Sequence, residues 1–332
     1  MIGHSPPPAG GAAPSDVARL ESLLSDWFER HVVLLSSGRT GLRLLLAAKG
    51  LSRYRDAVRV PAYLSRCVIN AVTHNAMPVV SGEASATLLY HQYGFEQRHV
   101  PPSGVVIEDL AHAFFAAPDS GARRWRSDTA IFSLPKFFGT AGLGGGVIVE
   151  HADLAAEIRE RAAAATRPAE DVRGWMRSVV AGVRDCPPGE PCPQQDWLDA
   201  VYELLYAFAG PDAADLAGMP ETRSGLAAVG AERAARVAEL RFALPRAGWE
   251  AMGDTPVPYA LPLFGDREAL DRIDAALAAE GIHAGVYHLD VRRDMSGPDY
   301  RAAVLLPCHQ GMSSDHVESV RAAVAAVSNA VL

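Results

Sequence analysis

Apolar side chains near the start of the chain recur with the period of a helix. One face of the segment after residue 16 carries Leu20, Leu23, Leu24, Trp27 and Phe28. The polar pair Ser15-Asp16 precedes this run, and such a pair is typical of a helix start. The pattern therefore predicts an amphipathic helix whose apolar face packs on the rest of the protein.

Short apolar runs follow, and several of them are continuously apolar. They cover residues 32–35, 57–60, 78–80, 87–90, 105–108, 130–133 and 146–150. Helical or polar segments, such as 41–49 and 66–74, lie between them. Strands that are apolar on both faces and alternate with helices are typical of a parallel sheet covered on both sides. We therefore expect an α/β fold for this part of the chain.

After residue 150 the pattern changes to helices and then to a smaller mixed unit. Helical segments are predicted over 153–165, 197–209 and 224–244. The C-terminal part has predicted strands near 259–263, 283–288 and 303–306 and predicted helices over 267–280 and from 313 onward. We expect a disordered tail over 1–14, a large domain over 15–222 and a small C-terminal α+β domain over 223–332.

The composition excludes several classes of protein. With 332 residues, 49% hydrophobic and 21% charged, the chain resembles an ordinary globular enzyme. The net charge of −8 and the lack of a basic stripe argue against a nucleic-acid partner. No apolar run approaches the length of a membrane span, and residues 1–14 lack the features of a signal peptide. We expect a cytoplasmic protein that binds small molecules.

The cysteines and histidines show no pattern of a metal site. Neither Cys67, Cys186, Cys192 nor Cys308 has a CxxC spacing, and the 11 histidines are not spaced as metal ligands. Cys186 and Cys192 flank a Pro/Gly-rich stretch and could pair under oxidising conditions. In a cytoplasmic chain we expect free thiols.

Lysine is rare in this chain, and one lysine has an unusual setting. Lys49 and Lys136 are the two lysines among 31 basic residues. Lys136 lies in the apolar run 131–138, where an ammonium is costly unless it is paired, deprotonated or used covalently. Lysine can lose its proton and attack a carbonyl, whereas arginine cannot. Lys136 is therefore a candidate nucleophile. The alternative is that codon bias explains the scarcity of lysine and that Lys136 merely extends from a loop into solvent.

Two other segments carry polar groups where predicted strands end. Residues 36–41 (Ser-Ser-Gly-Arg-Thr-Gly) connect a strand to a helix, which suits a phosphate, although for this segment taken alone a simple N-cap by Ser37 is the favoured explanation. Asp109 and His112 follow the strand over 105–108, at the edge where open α/β sheets bind ligands. The alternative for Asp109 is again a helix cap, with His112 as an ordinary polar neighbour.

Together these groups match the needs of pyridoxal phosphate (PLP). Lys136 follows a third strand and would form a Schiff base with the cofactor. The acid Asp109 would keep the ring nitrogen protonated, and Ser133 could add a hydroxyl to a phosphate held at residues 36–41.

The same segments resemble those of the DegT/DnrJ/StrS-type aminotransferases, which are fold-type I PLP-dependent enzymes. The similarity lies in residues 37–42, 60–63, 89–94, 107–112, 130–149, 280–282 and 306–313. It implies a large domain with a mostly parallel seven-stranded sheet, a smaller C-terminal α+β domain, and a homodimer. It also implies that an amino group moves, by a ping-pong cycle, from an amino-acid donor to a keto or aldehyde acceptor in a sugar or natural-product biosynthetic pathway.

The resemblance also implies roles for individual residues. Lys136 would be the catalytic Schiff-base lysine, Asp109 the partner of the ring nitrogen and His112 the neighbour of the ring hydroxyl. The predicted phosphate contacts are Gly38, Arg39 and Ser133, with Thr40 close by. Many members stack an aromatic ring on the cofactor where this chain has Ser65, and Tyr63 is the candidate replacement.

Two departures from the family pattern keep other functions open. Ser133 and Lys136 are three residues apart rather than five, and residues 218–224 lack the asparagine that reaches a neighbouring subunit's phosphate, so that Arg223 is its candidate substitute. One alternative is another PLP reaction, such as elimination, dehydration or decarboxylation. The other is a catalytically silent partner subunit, against which the joint presence of Asp109, His112 and Lys136 argues.

Overall fold

A computed structural model describes residues 2–8, 13–14, 16–98, 104–115, 126–165, 170–186, 192–244, 250–253, 255 and 257–331. The first part of this structure is a seven-stranded sheet with helices on its faces. Its elements are α1 (Val17–Phe28), β1 (His31–Leu35), α2 (Gly38–Ala48), β2 (Ala57–Arg59), α3 (Arg66–Thr73), β3 (Met77–Val79), β4 (Ala86–Tyr90), β5 (Val105–Asp109), β6 (Thr129–Ser133) and β7 (Gly145–Val149). Each helix and strand predicted in this region is present, although α2 begins three residues earlier than its pattern indicates.

The order of the strands confirms the predicted sheet. They run β1-β7-β6-β5-β4-β2-β3. Neighbours from β3 to β6 pair in parallel, whereas β7 is antiparallel to both β1 and β6. Strands β1, β4 and β7 are almost wholly buried, which accounts for their continuous apolar runs. The carboxyl ends of β4, β5 and β6 therefore meet at one edge of the sheet.

Four helices follow: α4 (Ala152–Ala163), α5 (Glu170–Asp185), α6 (Gln195–Ala207) and α7 (Arg223–Ala243). Helix α5 has no counterpart among the predicted helices, and Gly174 and Gly182 lower its helix propensity. Its apolar side nevertheless packs with α6 in a small core that includes Met176, Val179 and Leu205. Helices α5 and α6 thus form a hairpin beside the sheet.

The structure contradicts the expectation that all four thiols are free. Cys186 and Cys192 lie between the end of α5 and the start of α6, and they form a disulfide. Cys67 and Cys308 are free.

The C-terminal unit is a three-stranded antiparallel sheet with two helices. It comprises β8 (Ala260–Phe264), α8 (Arg267–Ala279), β9 (Val286–Asp290), β10 (Tyr300–Pro307) and α9 (Ser314–Val331), with strand order β8-β10-β9. Helix α7 joins the two units: Leu226 packs in the core of the first, and Val237 and Leu240 pack in the core of the second. The domain boundary between residues 222 and 223 stays a prediction.

The N-terminal residues differ from the predicted disordered tail. Residues 2–8 lie on the C-terminal unit, where Ile2 forms a parallel bridge with Ile282. The Ile2 N–H donates to the Gly281 carbonyl at 2.9 Å, and the His283 N–H donates to the Ile2 carbonyl at 2.7 Å. The rest of the predicted tail, residues 1 and 9–12, lies outside the described residues.

Candidate active site

A cavity of about 590 Å³ lies where the carboxyl ends of β4–β6 meet the start of α2. Among its lining residues are seven of the eight that the sequence analysis singled out, namely Gly38, Arg39, Tyr63, Asp109, His112, Ser133 and Lys136. The structure therefore brings together groups that are up to 98 positions apart in the sequence, from Gly38 to Lys136.

The start of α2 is built so that its backbone faces this cavity. Ser37 is the N-cap, and its hydroxyl accepts from the Thr40 N–H at 3.1 Å. Gly38 lies so close to β6 that a Cβ at this position would be 2.6 Å from the Phe132 carbonyl oxygen. The Ser37 N-cap is thus present. It leaves the first N–H groups of the helix available to an anion.

Thr40 is the one predicted residue that the structure does not bring to the cavity. Its buried hydroxyl contacts the hydroxyls of Ser36 and Ser37, each at 2.9 Å, and donates to the Leu205 carbonyl at 3.1 Å. These bonds fasten the start of α2 to the end of α6. Thr40 therefore holds the turn together from inside the protein.

Arg39 places a positive charge in the cavity. Its guanidinium carbon lies 3.4 Å from the ring centroid of Tyr202, which α6 contributes. Burial works to raise the pKa of the neighbouring Cys67 thiol, but the charge of Arg39, hydrogen bonds with Ser65 and Arg39, and the charge of Lys136 together outweigh it, so the pKa falls below its usual value. The cationic end of the cavity therefore favours negatively charged groups.

Asp109 is the buried acid at the end of β5. Neighbouring side chains of a strand point to opposite faces. Glu108 thus turns away from the cavity and contacts Nε2 of His91 at 3.0 Å, whereas Asp109 lines the cavity. The Asp109 carboxylate accepts from the Ala111 N–H at 2.9 Å. Burial raises the pKa of Asp109 to about 6, although this hydrogen bond and Lys136 both oppose the rise.

His112 is fixed by three aromatic neighbours. Its ring is nearly parallel to those of Tyr93, with centroids 5.1 Å apart, and Tyr259, with centroids 4.3 Å apart. Its Nδ1 forms a 2.7 Å hydrogen bond with the Tyr90 hydroxyl. Burial, reinforced by the charge of Lys136, lowers the pKa of His112 well below its ordinary value. His112 is therefore a neutral ring of fixed orientation at neutral pH.

Lys136 reaches the cavity from a tight turn after β6. The N–H groups of Phe137 and Phe138 both donate to the Leu134 carbonyl, at 3.0 and 2.9 Å, which closes the turn. The Nζ of Lys136 lies 5.1 Å from the ring centroid of Tyr259. Tyr259 raises the pKa of Lys136 against the effect of burial. The three-residue spacing from Ser133 thus still places the amine in the cavity.

Tyr63 and Ser65 also line the cavity. The Tyr63 hydroxyl accepts from Nε2 of Gln97 at 2.8 Å, and its ring meets the edge of Tyr300. Burial raises the pKa of Tyr63 above its ordinary value, so the phenol is neutral. Tyr63 is therefore a held aromatic ring in the cavity, and its role as the replacement stacking ring stays a prediction.

Several lining residues were missed from the sequence. They include Ser5, Cys67, Tyr90, Tyr93, Tyr202 and Tyr287. Tyr90 and Tyr93 fall within the segment 89–94, whose similarity to the family was noted without a role for either side chain. Ser5 and Tyr202 had no local signal, because they come from a segment predicted to be disordered and from a helix remote in sequence.

The described residues show neither a metal site nor a membrane span. They contain no group of three or more His, Cys, Asp or Glu side chains that could hold a metal ion. Within the same ranges, no helix is both long enough and apolar enough to cross a bilayer.

Comparison with known protein families finds a profile that matches part of the chain. Residues 26–166 match a family profile described as "Putative PLP-dependent aminotransferase". Among curated proteins, no sequence matches significantly.

Comparison with solved structures gives the same fold over the whole chain. A DegT DnrJ EryC1 StrS aminotransferase from Brucella abortus is 16% identical, with a TM-score of 0.64 over 96% of this chain and 91% of that one. The aminotransferase TlmJ from Streptoalloteichus hindustanus is 16% identical, with a TM-score of 0.64 over 100% of both chains. NtdA from Bacillus subtilis with bound cofactor PMP is 16% identical, with a TM-score of 0.63 over 96% of this chain and 78% of that one. The predicted fold class, fold-type I, is confirmed.

Proposed function

We propose that the chain is a PLP-dependent aminotransferase that moves an amino group from an amino-acid donor to a keto or aldehyde acceptor. The observation that carries this proposal is the single cavity shared by Lys136, Asp109 and the start of α2. These are an amine, a buried acid and an anion site, and PLP needs all three. The matched family profile and the similar fold of known aminotransferases support the same function.

The residues present fit this cofactor. The N–H groups at Gly38 and the charge of Arg39 suit its phosphate, and the Ser133 hydroxyl lines the same cavity. The buried carboxyl of Asp109 suits its ring nitrogen. When bound, PLP supplies an electron sink that stabilises negative charge at the substrate Cα.

Asp109 and His112 hold protons in fixed positions on the wall of the cavity. The Asp109 carboxyl, with its pKa near 6, becomes fully ionised when a cation pairs with it, and it then keeps a ring N–H protonated. Neutral His112 is oriented by the Tyr90 bond at Nδ1, which leaves Nε2 for a second hydrogen bond. We propose that this second bond goes to the ring hydroxyl.

Lys136 is the proposed nucleophile and proton carrier. It attacks a carbonyl only as the neutral amine, so its Nζ must lose a proton first. Once released from the cofactor, the same Nζ lies in the cavity where it can take a proton from the substrate Cα and return it elsewhere. The Tyr259 ring, 5.1 Å away, stabilises the ammonium that forms in this exchange.

Three finer properties complete the proposal. The resemblance to sugar and natural-product aminotransferases supports a role in a specialised biosynthetic pathway. The same resemblance supports a homodimer in which the second subunit completes the phosphate site. The composition supports a cytoplasmic location.

A half-reaction experiment tests the reaction type. We expect the purified protein with PLP to absorb as a yellow enzyme, and to lose this absorbance when L-glutamate, L-glutamine or L-alanine is added without an acceptor, because the cofactor then takes the amino group. A later addition of pyruvate or 2-oxoglutarate restores the absorbance. Lys136→Ala abolishes the yellow form, whereas Lys49→Ala, the matched control, keeps it. A product of elimination or decarboxylation without loss of absorbance would favour the other PLP reactions, and a colourless wild type would favour the silent partner.

A further inference from the structure

Residues 2–8 form a segment that we call the N-terminal strap, and it crosses the C-terminal unit next to the cavity. Beyond the bridge at Ile2, the Gly3 carbonyl accepts a 2.9 Å hydrogen bond from Nε2 of His309. Nε2 of His4 donates to the Leu305 carbonyl at 2.8 Å. Backbone and side chains therefore both hold the strap along β10 and the loop after it.

Ser5 is the residue that the strap delivers to the cavity. It is among the lining residues, and its hydroxyl lies 2.9 Å from the hydroxyl of Tyr259. Tyr259 is buried at the start of the C-terminal unit, and its N–H donates to the Tyr93 carbonyl at 2.8 Å. The backbone of Tyr259 is thus held by Tyr93, in the loop after β4, and its hydroxyl is held by Ser5 of the strap.

Tyr259 in turn contacts the two central groups of the site. Its ring is nearly parallel to His112, at an angle of 4° with centroids 4.3 Å apart. The Nζ of Lys136 lies 5.1 Å from the same ring. Any rotation of the phenol therefore changes the surroundings of both His112 and Lys136.

We propose that the N-terminal strap completes the active site, and that Ser5 is a positioning residue that holds Tyr259 against Lys136. The proposal rests on the proposed function only in taking Lys136 as the reactive amine. Because an aromatic face attracts an ammonium, a fixed Tyr259 favours the protonated lysine and limits access to it.

Other titratable groups also face the lysine, and their effects must be separated from that of Ser5. They are Arg39, Cys67, Asp109, His112, Tyr202, Tyr287 and His4. Burial lowers the pKa of His4, so this strap residue adds no positive charge near Lys136 at neutral pH. The Ser5 hydroxyl is uncharged. A substitution at Ser5 therefore acts on Lys136 through the position of Tyr259.

The rarity of lysine makes this proposal directly measurable. Lys49 and Lys136 are the two lysines of the chain. The full-length protein, freed of cofactor, is treated with an amine-acetylating reagent over a range of pH, and both lysine peptides are quantified by mass spectrometry. The pH midpoint of labelling reports protonation, the plateau rate reports access, and Lys49 is the internal reference. In the protein reloaded with PLP, the pH dependence of the yellow absorbance gives a second readout.

We expect Ser5→Ala to lower the labelling midpoint of Lys136 by about 0.5 pH unit, which is roughly a threefold faster reaction below the midpoint. A variant that lacks residues 2–8 lowers the midpoint at least as far and also raises the plateau rate. Ser5→Thr, which keeps the hydroxyl, behaves like the wild type. Ser22→Ala, on the exposed face of α1, is the matched control and leaves both quantities unchanged.

The proposal is overturned if Ser5→Ala and the variant without residues 2–8 both label Lys136 with the wild-type midpoint and rate. That result would leave the proposed function untouched. Conversely, a wild type that never binds PLP would refute the proposed function, while the labelling of Lys136 would still decide whether the strap acts on it.

Discussion

The burial of Asp109 lowers the stability of the folded chain before any cofactor binds. Burial raises its pKa from 3.8 to about 6, so the ionised carboxylate destabilises the fold at neutral pH. We expect Asp109→Asn to stabilise the cofactor-free protein at pH 7.5 by about 3 kcal/mol, since each pKa unit is about 1.4 kcal/mol. Urea unfolding of the two proteins measures this difference.

The pH dependence gives this prediction its sign. Below pH 3.8 the carboxyl is protonated in folded and unfolded chains alike, so the advantage of Asp109→Asn disappears. It grows between pH 3.8 and about 6 and is complete above that range. Asp128→Asn, which removes an exposed carboxylate outside the cavity, serves as the control for the substitution itself. A wild type that is more stable than Asp109→Asn at pH 7.5 would contradict the account.

The place of a side chain in the cavity was predictable where its neighbours in sequence form a recognisable motif. Lys136, Asp109 and Gly38 each follow a strand within a recognisable segment, and all three line the cavity. Ser5 and Tyr202 reach the same cavity through tertiary packing, which no local pattern records. The resemblance implies that Thr40 lies close to the phosphate, but a helix turns by about 100° per residue, so the side chains of Arg39 and Thr40 point in different directions.

At the scale of elements, the start of α2 depends on a glycine that touches β6. A Cβ at position 38 would be 2.6 Å from the Phe132 carbonyl oxygen, so Gly38→Ala must push helix and strand apart. We expect this change to destabilise the protein by about 1–3 kcal/mol and to weaken PLP binding, because the phosphate site moves with the helix. Thermal unfolding and PLP titration measure the two effects.

Helix α5 provides the matched control for Gly38. A Cβ at Gly174 has no atom within 4 Å, so Gly174→Ala should raise stability by about 0.5–1 kcal/mol and leave PLP binding unchanged. If both substitutions have the same effect, the close contact at Gly38 does not shape the site.

Some helices and strands were predictable from the local sequence pattern, and others were not. The strands were predictable because continuous apolar runs of four or five residues match buried parallel strands. Helix α5 was not, since its two glycines lower the local propensity and tertiary contacts, among them its packing on α6, stabilise it. Strand β9 begins three residues later than predicted, after Gly285, whose φ of +76° interrupts an extended backbone.

At the scale of the whole molecule, the active site depends on contacts between distant parts of the chain. Residues 1–14 are rich in Pro, Gly and Ala, a composition that predicts a disordered tail. The bridge between Ile2 and Ile282 shows why this failed for residues 2–8: the partners are 280 positions apart. The resemblance predicted the fold class, a mostly parallel seven-stranded sheet, but not the order of its strands.

The proposed homodimer also belongs to this scale. We expect light scattering of the PLP-loaded protein to give twice the 35.3 kDa of one chain. Arg223→Ala, which removes the candidate substitute for the missing asparagine, should then weaken PLP binding while the mass stays dimeric. A monomer that binds PLP and completes the half-reaction would contradict a shared site.

The central claim is that Lys136 carries the cofactor, and the most direct test is to trap it there. Borohydride reduces the bond between PLP and an amine irreversibly, so mass spectrometry of the digested protein identifies the modified lysine. The account predicts the full cofactor mass on the peptide that contains Lys136, and none on the peptide that contains Lys49. Cofactor on Lys49, or on neither lysine in a protein that has been saturated with PLP, would contradict it.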